Sequence, residues 1–336
     1  MKLTSTHNKT LKEDRAVVTR RRRAKLTQLL GLLAVLSLIV AGCGGGGGGG
    51  ASGEIDLSGA EFTVGSKEFT EQLILGQITL QTLENAGATV NDQIGLAGTV
   101  AARKALESGE IDMYWEYTGT GWITHLGHTK PIPNQQKQFE AVAKEDLQKN
   151  NIKWLSPPAP ANNTYTMAVR SEAYDKLGVK KLSDFKELVE ENPQEATVCV
   201  GTEFSTRDDG LPGMEKAYDF EFPKENIVKI DEGLIYQQTD KGKQCNFGEV
   251  FQTDGRIEAL NLELIKDDKS FFPIYNPALN VREEVIKKYP QLTKLFAPIS
   301  KKLTTEELQK LNAKVDVQGQ LEDQVAEEWL KENGFI

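Results

Sequence analysis

The sequence predicts an α/β protein of two lobes, and three observations carry that prediction. Strand and helix signals alternate along 61–121 and again along 165–265, and a proline-rich passage, Pro157-Pro158-Ala159-Pro160, separates the two series. The 336 residues also suffice for two units of the usual size, roughly 100–200 each.

In the first series Glu61-Phe62-Thr63-Val64 reads as a strand stopped by Gly65-Ser66-Lys67. Phe69, Leu73, Ile74 and Ile78 then recur at helical spacing, with Glu71 in the first turn and Gly87 past the end. Val90 to Leu96 reads as a second strand, and Val100 to Glu107 as a helix closed by Gly109. The stretch Gly109 to Gly121 follows: a turn, a strand carrying Ile111, Met113, Tyr114, Trp115 and Tyr117, then an open loop of threonine and glycine. Strand, helix, strand, helix, strand is the order of a parallel, doubly wound sheet. In such a sheet Gly65-Ser66-Lys67 and Tyr117 to Gly121 both follow strand ends and face one crevice. Trp115 and Tyr117 read either as rings at that crevice or as ordinary core aromatics.

A polar helix over 135–150 leads to the prolines, whose stiffness suits a crossing between lobes. The second series has strands at 165–169, 197–200, 227–230 and 262–265, with helices at 182–191 and 213–218. From Phe271 to Val281 the chain is apolar and turn-broken, which reads as the return crossing. The last 50 or so residues read as mainly helical, with Thr304-Thr305-Glu306-Glu307 capping one amphipathic helix and Leu321 to Leu330 forming another.

The first 42 residues carry nine Lys/Arg and two Asp/Glu, so the net charge of −9 becomes −16 for the remainder. A nucleic-acid partner is therefore not expected, since binding one needs clustered positive charge. Arg20 to Arg23 and Lys25 form a basic region, Leu29 to Val40 an apolar one of about a dozen residues, and Ala41-Gly42 a small-residue site. A spanning helix needs about 20 apolar residues, so the segment reads as a targeting signal. Val40-Ala41-Gly42-Cys43 resembles the lipobox of bacterial lipoproteins, which implies cleavage before Cys43, a lipid on its sulfur and a membrane anchor. Gly44 to Gly50 and the residues to 59 then read as a flexible tether. Cys199 and Cys245 remain, an even pair in an exported chain, and are expected to form one disulfide.

Five separated pieces occur in one order: Gly65-Ser66-Lys67-Glu68-Phe69-Thr70-Glu71-Gln72, Glu116-Tyr117-Thr118-Gly119-Thr120, Asn162-Asn163-Thr164-Tyr165, Thr253-Asp254-Gly255-Arg256-Ile257 and Phe272-Pro273-Ile274-Tyr275. Together they resemble the substrate-binding proteins of ABC importers for glycine betaine, choline and carnitine, from about residue 60 to the C-terminus. The resemblance implies a type II periplasmic-binding-protein fold: lobe 1 from 60–161 plus 276–336, lobe 2 from 162–275, two crossings, and a ligand in the cleft. It also implies a monomer outside the cytoplasm that works with a membrane permease.

In that family an aromatic cage holds a trimethylammonium head. Such a head has no N–H to donate, so ring quadrupoles and contact bind it, at about 0.5–2 kcal/mol per ring. By motif, Tyr117, Tyr165 and Tyr275 match cage tyrosines. Phe251 stands where a fourth tyrosine is usual, with Tyr236 and Trp122 as other candidates for that corner. Lys67, Thr120 and Arg207 match positions that meet a carboxylate tail, and Gln72 and Asn163 are expected as polar wall.

Two other readings compete: the same fold binding an amino acid through an acidic clamp, and an extracytoplasmic enzyme. The sequence holds no Gly-x-Ser-x-Gly, phosphate loop or cofactor motif. His125 and His128 read as loop residues without acidic partners, so no metal site is expected.

Overall fold

Ten strands define the architecture: β1 (Glu61–Lys67), β2 (Thr89–Leu96), β3 (Met113–Tyr117), β4 (Ile152–Trp154), β5 (Tyr165–Arg170), β6 (Val198–Val200), β7 (Ile227–Lys229), β8 (Phe247–Phe251), β9 (Leu262–Ile265) and β10 (Pro277–Arg282). They come from a computed structural model that describes residues 55–336. The expected signal, Cys43 and most of the tether lie outside the described residues.

The strands form two five-stranded sheets, ordered β2-β1-β3-β10-β4 and β7-β6-β8-β5-β9. Both are mixed, which corrects the expectation of an all-parallel sheet. β1 runs parallel to β2 and β3, but β10 is antiparallel to β3 and β4. In the second sheet β6 runs parallel to β7 and β8, whereas β5 is antiparallel to β8 and β9. The cause is the route of the chain. Each crossing delivers its strand from the other lobe, so that strand enters its sheet in the reverse direction.

Local chemistry explains where the elements outrun the sequence reading. β1 continues through Gly65 to Lys67, where a stop was expected. Gly65 is needed there for closeness, since a Cβ on it would lie 2.6 Å from Ile111 Cδ1. Beyond β3 the threonine and glycine residues form no open loop: Thr118–Thr120 make a helical turn that runs into a π-helical turn, Gly121–His125. A Cβ on Gly119 would meet the Tyr275 ring at 2.6 Å, so glycine is what lets that ring seat against the turn. α1 (Thr70–Asn85) and α2 (Gly98–Ser108) lie where the apolar spacing predicted helices. Thr304 caps the helix Thr305–Asp316 by accepting from Glu307 N at 3.1 Å, as its motif predicted.

Lobe 1 packs Phe62, Val64, Ile74, Trp115 and Leu279 against the C-terminal helices through Phe296 and Trp329. Trp115 is thus a core ring, and its indole N–H donates to Thr79 Oγ1. Lobe 2 centres on Phe185, which meets Phe247 edge-on at 4.8 Å and Phe220 stacked at 5.4 Å.

The two crossings run side by side. Asn163 N donates to Tyr275 O at 3.1 Å, Tyr275 N to Asn162 Oδ1 at 2.8 Å, and Asn276 Nδ2 to Ala161 O at 2.6 Å.

Cys199 on β6 and Cys245 before β8 are disulfide-bonded across 46 residues, both buried against Ile235. Replacing both by Ala is expected to lower the unfolding free energy by about 3–4 kcal/mol, from loop closure in the unfolded chain. Urea titration reads that loss. Ligand affinity should not move, because neither cysteine lines the cleft, and a changed affinity would contradict a purely structural bridge.

Candidate ligand-binding site

Five rings converge between the sheets. Phe69 stands before α1 and Tyr117 ends β3; both come from lobe 1. Tyr165 opens β5 and pairs in register with Phe251 at the end of β8, so the antiparallel ladder sets those two rings side by side. Tyr275 comes from the second crossing. Ring centroids lie at 5.0 Å for Tyr165 and Phe251, 5.5 Å for Tyr165 and Tyr275, 5.4 Å for Phe69 and Phe251, and 6.3 Å for Phe69 and Tyr117. The cavity that four of the nine expected contacts line as rings also touches Lys67, Thr120, Asn163 and Arg207. It measures about 30 Å³.

Buried charge fixes the surrounding side chains. Lys67 is 3% exposed, and its Nζ donates to Glu116 Oε1 at 2.7 Å while lying 5.2 Å from the Tyr117 ring centroid. Glu116 also accepts from Tyr114 Oη at 2.9 Å and bonds His125 Nε2 at 2.9 Å. Burial alone would raise its pKa, but Lys67 and His125 outweigh burial and hold the carboxyl well below the usual range. Burial lowers His125 in turn, with Glu116 offsetting part of that.

Glu71 is a second buried carboxylate, and burial raises its pKa despite its donors. It accepts from Tyr117 Oη at 2.8 Å, Asn163 Nδ2 at 2.9 Å and Asn312 Nδ2 at 3.1 Å. Arg207 grips Asp209 with two bonds, of 2.7 and 2.6 Å, and reaches Glu203 at 3.4 Å. Its guanidinium lies 5.8 Å from the Tyr165 centroid, and Tyr275 Oη donates to the same Asp209 at 2.7 Å. Glu232 is raised to about 7, first by burial and then by repulsion from Glu203 and Glu68.

The structure thus brings together Tyr117, Tyr165, Phe251, Tyr275, Lys67, Thr120, Asn163 and Arg207. Gln72 is the exception. It lies behind the wall, accepting from Lys67 N at 3.2 Å and donating to Trp115 O at 2.9 Å, where it ties β1 to β3. Trp122 is also elsewhere: it stacks on His128 at 3.5 Å and donates to Lys130 O. Tyr236 lines the neighbouring cavity, its hydroxyl accepting from Phe251 N at 3.1 Å. Both histidines have acidic partners, contrary to expectation: His125 is buried on Glu116, and His128 bonds Glu145 at 3.0 Å. Among the described residues no three His, Cys, Asp or Glu side chains gather to hold a metal.

Sequence reasoning missed Phe69 and the carboxylates Glu68, Glu203 and Glu232, all on the cavity wall. Phe69 lies inside a quoted motif, but helical spacing assigned it to the core face of α1. Glu203 sits four residues before Arg207, a spacing that could have signalled their pairing.

Two mixed α/β lobes, two crossings and a ring-lined cleft define a type II solute-binding protein. The family described as the substrate binding domain of ABC-type glycine betaine transport system matches residues 60–332, and the chain belongs to it. It is 36% identical over 279 residues to a glycine-betaine-binding protein of Pseudomonas aeruginosa, covering 81% of this chain and 88% of that one. It is 34% identical to the carnitine transport binding protein OpuCC of Listeria monocytogenes, covering 81% and 87%. The solved structure of apo YehZ from Escherichia coli superposes with a TM-score of 0.61 at 35% identity, covering 82% of this chain and 99% of that one.

Proposed function

We propose that this protein captures a quaternary-ammonium solute of the glycine betaine, choline or carnitine type outside the cytoplasm and hands it to an ABC permease. The observation that carries this reading is the meeting of Phe69, Tyr117, Tyr165, Phe251 and Tyr275, drawn from both lobes and a crossing. The lobes are assigned as 60–161 plus 276–336 and 162–275. Lys67, Thr120 and Arg207 are assigned to the ligand's tail. Arg207 already binds Asp209, so a tail carboxylate engages its remaining N–H groups or displaces that partner.

Calorimetry of the mature chain against glycine betaine, choline and carnitine tests the proposal. Arg207→Ala should weaken glycine betaine by more than choline, because a charge-assisted bond worth about 1.5–3 kcal/mol disappears for the carboxylate alone. Equal losses would remove Arg207 from the tail. Absence of binding to all three would defeat the reading.

The anchoring proposal rests on Val40-Ala41-Gly42-Cys43. Cys43→Ala should leave the chain unprocessed or released from membranes, read by fractionation. An unlipidated full-length chain in the cytosol would refute it.

A further inference from the structure

The charge of the chain is unevenly placed. Residues 285–305 hold Lys287, Lys288, Lys294, Lys301 and Lys302 and no Asp or Glu, so the −16 of residues 43–336 becomes −21 for everything outside this run. All five lysines are exposed. We propose that this run is a basic face that rests on the anionic lipid headgroups of the membrane carrying the protein. The inference rests on the anchoring through Cys43 proposed above, and gives the anchored domain an orientation.

Two independent observations converge on it, and the first is the face itself. The helix Leu292–Lys302 buries Leu292, Leu295, Phe296 and Ile299 in lobe 1, which leaves Lys294 and Lys301 on the opposite side. Lys302 ends that helix, and Lys287 and Lys288 end the one before it, Glu283–Lys288. Lys287 pairs with Glu283 at 2.8 Å, but the other four have no carboxylate within salt-bridge reach among the described residues. The neighbouring helices mix signs: Thr305–Asp316 carries Glu306, Glu307, Lys310 and Lys314, and Glu322–Glu332 includes Lys331 among acids. A face that met only water would gain from the same alternation.

The second observation is where the chain joins lobe 1. Ile55, the first described residue, shares a small recess with Lys294, Leu295, Pro298, Ile299 and Phe335. The link to the lipid thus begins beside the basic face. Twelve residues separate Cys43 from Ile55, a fully extended reach of about 40 Å, so an anchored chain never holds Ile55 farther than that from the headgroups. Meeting the surface is then an intramolecular event. Screening limits the attraction to about 8 Å at physiological salt, so the face turned to the lipid decides the outcome: lysines are drawn in, and the acidic remainder is repelled.

Cys43 is the one cysteine outside the disulfide, so the mature chain can be coupled through it to a maleimide lipid, whatever the cell attaches there. The vesicles are phosphatidylcholine, with or without one third phosphatidylglycerol, and lysine accessibility is read by acetylation and mass spectrometry. On the anionic vesicles Lys294, Lys301 and Lys302 should react about threefold more slowly than on neutral ones, while Lys224 and Lys243 of lobe 2 keep their rates. The slowing should vanish at about 0.5 M salt. In the double variant Lys294→Glu, Lys301→Glu it should also vanish at Lys288 and Lys302, with unchanged glycine betaine binding as the check on folding. Equal rates on both vesicles would overturn the inference and leave the anchor standing; so would slowing on neutral vesicles that grows with protein density, which would mean contact between copies. A Cys43 peptide from native cells without lipid mass would overturn the anchoring reading and this inference with it.

Discussion

Replacing Lys67 by Met should lower the free energy of unfolding by about 3–5 kcal/mol, because it leaves Glu116 buried beneath the cleft without its closest cation. Glu116 has no exposed surface, and its remaining donors are Tyr114 Oη, His125 and its neighbour's backbone N–H at 2.8 Å. Urea titration measures the loss. The sign of the pH dependence follows from the depressed pKa of Glu116. Its stabilising effect is complete above the unfolded carboxyl value of about 4.3 and is lost as pH falls from there towards its folded value. The acid-side decline in stability should therefore be shallower in Lys67→Met than in the parent. A stability loss below about 1 kcal/mol would show that Lys67 serves the ligand's tail alone and does not also hold the fold.

Tyr165→Leu and Tyr117→Leu should each weaken glycine betaine and choline by about tenfold, and by the same factor for both. Each ligand loses the same ring, worth about 1–2 kcal/mol at a desolvated cation. Calorimetry on folded variants reads this. The two rings differ in a control. Tyr117 Oη donates to buried Glu71, so Tyr117→Phe should also cost about 1–3 kcal/mol of stability. Losses confined to one ligand would mean that these rings contact its tail instead of the shared head.

Most elements and most of the site were legible, and the failures have physical causes. Apolar spacing located α1 and α2 because each buries one face against a sheet, and the capped C-terminal helix because it buries one face against α1. β8 escaped because Gly248 and Glu249 interrupt its apolar pattern. Glu249 is nevertheless buried, accepting from Gly201 N at 2.8 Å, a tertiary contact that no local pattern encodes. β10 was hidden by Pro277, which reads as a breaker yet is the first strand residue, paired with Tyr117. Its antiparallel direction depends on the return from lobe 2, so strand-helix alternation alone suggested the wrong sheet. Motif order located eight cleft residues but misplaced Gln72, since a motif does not say which side of the wall its side chain takes.

The late arrival of β10 also sets an order of assembly. The strands of the second sheet all lie within 165–265, so that unit can close as soon as its own segment has emerged. The first sheet cannot. Its β3 shows a bare edge until Pro277–Arg282 is present, more than 150 residues later along the chain, and β4 has no neighbour at all before then. Such long-range pairing is slow, because the intervening chain must be ordered first. The amino-terminal half thus waits for the carboxyl-terminal half, and a chain truncated before residue 277 should leave a folded second lobe attached to an open, aggregation-prone first one.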